Sequence, residues 1–188
     1  TAAGALMLSK TLEIAGLAPG KVVKVPVTGD RHVAAYQARE VDALVTWEPH
    51  ATRLEVLGAR RLIDSRAFPG LIVDVLAAHA SALAAAPESF RQLTTAYFAA
   101  LDRFLQNPED AARRMAPSLG IPIEAVPRAY AGVRMMDRAA NREWLRDGGA
   151  RLMAAANQVQ TIMLQNGLLR QPVSLAGLAD ARFLPETA

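Results

Sequence analysis

Cysteine is absent from this chain of 188 residues, so neither a disulfide framework nor a thiolate zinc site can form. Aromatic residues are scarce at 5%, which leaves little with which to stack a run of nucleic-acid bases. Long apolar runs are also lacking: the most apolar stretch, Pro69 to Pro87, is broken by Asp74, His79 and Ser81 and does not read as a membrane span. Neither charge sign dominates, with 21 Lys+Arg against 18 Asp+Glu and a net charge of +3. The arginines are scattered among acids, and the longest basic runs are the pairs Arg60-Arg61 and Arg113-Arg114. That excludes a nucleic-acid-binding block and leaves a solvated, mildly basic surface. What the chain does have is apolar side chain, at 52%, too much for a disordered polymer and enough for one good-sized domain or two small ones. It starts at Thr1, already inside an apolar-periodic segment and without an initiator methionine or a signal peptide, and so reads as a processed chain or a fragment.

The pattern changes near residue 75. Before it, Ala5, Leu6, Leu8, Leu12 and Ala15 recur at helical spacing and stop at Gly16, with Pro19-Gly20 behind. Four short runs then read as strands: Lys21–Val27, Asp42–Thr46, Arg61–Asp64 and Leu71–Ala77. Between them Asp30 can open one helix, and Pro49 another that ends at Gly58. Strands alternating with helices predict βαβ units and a largely parallel sheet. From Pro87 to Gly167 the pattern is helical almost throughout, with Phe90, Leu93, Tyr97, Phe98, Leu101, Phe104 and Leu105 in one stripe. Pro108 and Pro122 open further helices, and a last one runs from about Gly149 to Leu164. These helices have few strands to cover, which suggests that part of a sheet lies outside this chain.

The sharpest local feature is Val45-Thr46-Trp47-Glu48-Pro49-His50, a strand-to-helix junction. Side chains at the carboxyl end of such a strand line the crevice where open α/β sheets hold ligands. Trp47 offers an apolar face and an indole donor, and Glu48 an acceptor for an amine or hydroxyl; the same pair equally suits a core plug and a first-turn carboxylate. A second junction, Thr28-Gly29-Asp30-Arg31-His32, combines free amides with a guanidinium able to receive an anion, although Asp30 also fits a plain helix cap. Thr1 precedes the first helix with a hydroxyl that could face an oxyanion, and Asp74 sits inside the apolar run LIVDVLAA, either exposed on an alternating face or buried with a partner. His32, His50 and His79 show no metal-ligand spacing, and HExxH, GxSxG and phosphate-binding glycine loops are absent. Nothing in these residues points to an enzyme, a cofactor or a metal.

The segment Glu40-Val41-Asp42-Ala43-Leu44-Val45-Thr46-Trp47-Glu48-Pro49 resembles the "GEVDA…WEP" stretch of ABC-transporter substrate-binding proteins of the nitrate/sulfonate/taurine type, whose wider family includes thiamine-pyrimidine precursor binders. The continuation through Gly58-Ala59-Arg60, Asp64-Ser65-Arg66 and Pro69-Gly70-Leu71-Ile72-Val73-Asp74-Val75-Leu76 is similar too, as are Asn107-Pro108-Glu109-Asp110-Ala111-Ala112 and Asp180-Ala181-Arg182-Phe183-Leu184. One departure stands at Arg39-Glu40, where the family usually has glycine before Val41-Asp42.

The resemblance implies an α/β, periplasmic-binding-protein type II-like fold lacking its N-terminal part: residues 1–74 as a βαβ lobe two, and 75–188 as the mainly helical part of lobe one. It implies an extracytoplasmic or periplasmic solute-binding component of an ABC importer, holding a small organic or inorganic anion or zwitterion and delivering it to the permease membrane subunits. Thr46, Trp47 and Glu48 would then lie in the cleft, Thr28, Asp30, Arg31 and Thr1 on its oxyanion side, and Asp74 at the interlobe crossover. With half a lobe absent, the chain is expected to bind weakly or not at all and to self-associate through apolar surface. A pyrimidine-precursor binder or synthase and a ligand-sensing regulatory domain of similar fold are the alternatives.

Overall fold

The computed structural model describes residues 2–186. Among them lie eight α-helices: α1 (Ala2–Ile14), α2 (His32–Gln37), α3 (His50–Val56), α4 (Ala80–Ala85), α5 (Pro87–Gln106), α6 (Pro108–Leu119), α7 (Val126–Tyr130) and α8 (Arg138–Gln165), joined by short 3-10 turns. No β-strand occurs among the described residues, which overturns the expected α/β fold and its βαβ lobe. Extended backbone is nevertheless found within two of the strand-like runs: Val22 has φ −123° and ψ 140°, and Asp64 has φ −139° and ψ 174°. A β-branched pattern reports what fits a pleated surface; a strand also needs a neighbour to take its amides and carbonyls, and no ladder joins these four segments. Many of their apolar side chains face solvent, with Val23 at 92% exposure and Leu62 at 72%, whereas Leu71 is buried.

The chain divides into two compact units. The first gathers the residues up to Ile72 with Arg128–Gly132 and Val159–Pro172. Its core is built on Leu6 of α1, Leu71, and Ile162 near the end of α8, with Phe68 and Val159 packed against them. The 3-10 turn Ser65–Ala67 leads into this core and is capped by Asp64, whose carboxylate accepts from the Arg66 amide. The α2 and α3 helices pack on each other beside it, burying Ala35 and Leu54. An exposed ion-pair network holds Arg128 of α7 to this unit: Glu55 of α3 bonds both Arg61 (2.9 Å) and Arg128, and Arg61 also reaches Asp64 at 3.5 Å.

The second unit comprises Val73–Pro127, Val133–Gln158 and Val173–Ala188, the last two residues lying outside the description. Here α5 packs on α6 through Phe98 and Leu101 against a helix whose buried face is alanine: Ala111, Ala112 and Ala116. Small side chains on one face let the larger ones of the other seat closely. The boundary between the two helices follows from Asn107-Pro108: Pro108 sits in the first turn of α6, and the Asn107 side chain accepts from the Asp110 amide at 3.1 Å. Gly120, at φ 62°, ends the helix. The stripe read from the sequence is only half buried, because Leu93, Tyr97 and Leu105 remain exposed. Arg138, at the start of α8, pairs with Asp102 (2.6 Å) and lies over the Phe98 ring (5.3 Å).

Between its two helical stretches α8 breaks at Arg146–Gly149, where Asp147, Gly148 and Gly149 take φ of 54°, 69° and 78°. Three consecutive left-handed residues are tolerable because two are glycine. At Gly149 the constraint is double, since an added Cβ would come 2.2 Å from the Ala179 Cβ. Gly149→Ala is expected to destabilise the second unit by about 3 kcal/mol, combining overpacking with left-handed strain, as measured by chemical denaturation; a loss under 0.5 kcal/mol would contradict this packing. The exposed extended runs generate a second expectation: the chain self-associates as concentration rises, and Val23→Lys with Leu62→Lys suppresses this. Light scattering that returns the monomer mass at every concentration for the unsubstituted chain would refute it.

Candidate functional site

The two junctions singled out in the sequence, Thr28–His32 and Thr46–His50, come together in the first unit. Their meeting point is His32, only 3% exposed, whose Nδ1 lies 2.9 Å from the Thr46 hydroxyl. A buried imidazole without a partner would cost its full desolvation, so this bond fixes where the first junction stands against the second. The indole of Trp47 then meets the His32 ring edge-to-face at 5.0 Å, and the His50 ring meets both, at 5.8 Å from His32 and 6.2 Å from Trp47. Gly29 completes the contact: a Cβ there would sit 2.9 Å from Trp47 Cζ2, so the backbone of the first turn lies directly against the indole. Trp47 is still 44% exposed, leaving apolar ring surface open beside Gly29 and the partly buried His50, with Thr28 and Asp30 flanking Gly29 in the chain.

Electrostatics sort these groups. Asp30 is exposed, and the Thr28 hydroxyl bonded to it holds its carboxyl below the usual aspartate range, followed by backbone bonding and the nearby Arg31 and His32. Burial pushes the His50 imidazole below its ordinary value, helped by His32 and Arg53 and opposed by Asp30 and Glu48. His50 is therefore neutral at pH 7, a hydrogen-bonding ring instead of a cation.

The remaining candidates are placed differently. Arg31 bonds both carboxylate oxygens of Glu40 at 3.1 Å, so its charge is answered within its own surface turn. Glu48 faces inward along the chain: its Oε2 accepts from the Thr52 amide at 3.0 Å, satisfying an early donor of α3, while Oε1 lies 3.6 Å from Arg61. The Glu48-Pro49 peptide is cis. Asp74 is exposed on the extended segment of the second unit, just past the passage of the chain out of the first at Ile72. Thr1 lies outside the described residues. His32 and His50 carry no metal-ligand spacing in the sequence; the signal that finds them is position, since each closes one of the two junctions. No group of three or more His, Asp or Glu able to hold a metal occurs among the described residues.

Two expectations follow from this geometry. Thr52 keeps a buried hydroxyl with no hydrogen-bond partner, so Thr52→Val is expected to be neutral or up to about 1 kcal/mol stabilising; a clear loss in a denaturation midpoint would show that the hydroxyl is satisfied. The folded-state pKa of His50 lies below its unfolded value, so the unfolded chain binds the proton more readily and stability falls as pH drops through the histidine range, from about pH 7 to 5. Asp30, Glu55 and Asp64, held low by Thr28, Arg61 and Arg66 respectively, act with the same sign but only below about pH 5. Thermal melts should therefore show a first loss above pH 5 that His50→Gln reduces; an unchanged profile in that variant would refute the assignment.

No curated protein and no solved structure matches the chain. One family model does match: that of the NMT1-like family, over residues 1–120, which takes in both junctions and the whole Trp47 cluster. No helix among the described residues is long and apolar enough to cross a membrane. With well over half its length matched, the chain belongs to the NMT1-like family, within the nitrate/sulfonate/taurine-binding periplasmic protein-like group.

Proposed function

We propose that the chain is the solute-binding component of an ABC importer, acting outside the cytoplasm and passing a small anion or zwitterion of the sulfonate, taurine or nitrate class to permease subunits in the membrane. The observation that carries this reading is the convergence of the two junctions on the open face of Trp47. An apolar ring face, a neutral imidazole and an ionised carboxylate within one turn pair suit the holding of a small polar molecule. For a zwitterion, the Asp30 carboxylate would take the amine, while the His50 N–H and the turn amides would take the acidic end. The hydroxyl–imidazole contact of Thr46 with the buried His32 serves to tie the two junctions together, so binding is the role proposed.

The chain has two tryptophans, Trp47 and Trp144, so Trp144→Phe leaves Trp47 as a single reporter. Titration of that variant with taurine, methanesulfonate, nitrate, bicarbonate and an aminopyrimidine is expected to change Trp47 emission with one of the anions. Trp47→Ala, followed by calorimetry, is expected to weaken binding about 10- to 100-fold, the loss of one aromatic contact. A response to the aminopyrimidine alone would move the assignment to a precursor binder, and silence across the panel would overturn the solute-binding reading.

A further inference from the structure

We infer that the site couples ligand capture to the protonation of His50: a sulfonate or other oxyanion held against Trp47 draws a proton onto that imidazole, and binding tightens as pH falls. This deepens the proposed function and rests on it. The geometry separates the two histidines by accessibility and commitment. His32 is sealed, with Nδ1 at 2.9 Å from the Thr46 hydroxyl. His50 is only partly buried, stands 6.2 Å from the indole ring that a ligand would cover, and has no hydrogen bond fixing its tautomer among the described residues. It is the titratable ring at this site that a solvent proton and a ligand can both reach.

The groups around His50 decide the sign. From α2 it faces His32, from the turn before α2 it faces Asp30, from its own helix Arg53, and from the preceding turn Glu48. Glu48 is turned to the Thr52 amide and Arg61, so Asp30 is the acid left to support a protonated His50. Burial and the two neighbouring basic groups outweigh that support, and the free site rests neutral. An anion adds an opposite charge and removes the imbalance, so the bound state holds the proton up to a higher pH than the free state. By linkage the association constant then rises as pH falls between the two midpoints, by at most tenfold per pH unit, and levels off on either side.

The chain has three histidines, His32, His50 and His79, few enough for each ring to be followed by proton NMR, with His50→Gln assigning the signal. The titration midpoint of His50 is expected to rise by about one pH unit in saturating methanesulfonate or taurine relative to chloride. Calorimetry of the unsubstituted chain in two buffers of different ionisation enthalpy is expected to show proton uptake near pH 6.5 and none at about pH 8.5, above both midpoints. Signals that report binding while the His50 midpoint stays fixed and no proton is taken up would overturn the coupling and leave the solute-binding reading standing. Spectra that respond to none of the probes would overturn both.

Discussion

Local closure of backbone hydrogen bonds is the constraint on which this structure turns. Outside the helices, the bonds of turns and caps reach only a few residues along the chain, as from the Leu17 amide to the Leu12 carbonyl or from Leu168 to Met163. A sheet would tie distant segments together through the main chain; without one, that work falls to side chains. In the first unit it is done by the Leu6–Leu71–Ile162 contact, by Arg128 on Glu55 and by His32 on Thr46. In the second it is done by the alanine face of α6 and by Thr94 of α5, whose hydroxyl donates to the Phe183 carbonyl while Arg91 and Arg182 lie near that ring. Each tie is a single contact or a small cluster, so one side chain matters more here than in a fold braced by a ladder.

The candidate site shows how such a tie becomes a functional arrangement. The chain places a polar ring where solvent cannot satisfy it, and a hydroxyl from the other junction offsets the desolvation. Once His32 is seated, the indole, Gly29 and His50 have little freedom: Trp47 is fixed by its edge contact and by the glycine backbone beneath it. A larger residue at position 29 would push the ring off the turn. The half-exposed face of Trp47 is thus held by buried polar chemistry and not by a hydrophobic plug, which is why it stays open at the surface.

Much of this was legible from residue order. Pro108 opened a helix where one begins, and the last helical stretch resumes about Gly149, just past the left-handed break. These are local signals, read through capping and φ alone. The sheet was misread because Lys21–Val27 and Leu71–Ala77 carry strand composition, and composition cannot say whether a partner strand is present. Both junctions were found separately, but not their meeting, since nothing in the spacing of His32 and Thr46 reveals a bond across fourteen residues. Arg39 is a smaller instance: it holds φ 54° after α2, at the place where the family resemblance leads one to expect glycine nearby, so this turn is made despite its side chain.

Charge pairing narrows what the site can recognise. Arg31 and Glu48 look from the sequence like the natural cation and anion of a binding cleft, yet each is met by a partner from its own surroundings: Glu40 for the first, Arg61 and the Thr52 amide for the second. Exposed pairs of this kind add little stability, because water screens them and long side chains lose freedom in forming them. Their effect is on selectivity. With the strong charges answered internally, the groups left at the junctions are a neutral imidazole beside the Trp47 ring and, near that imidazole, one carboxylate steadied by a hydroxyl. On the proposed function such a surface suits a compact ligand that brings its own charge over a strongly ionic polymer, and the inferred coupling makes the proton on His50 the charge that this ligand calls up.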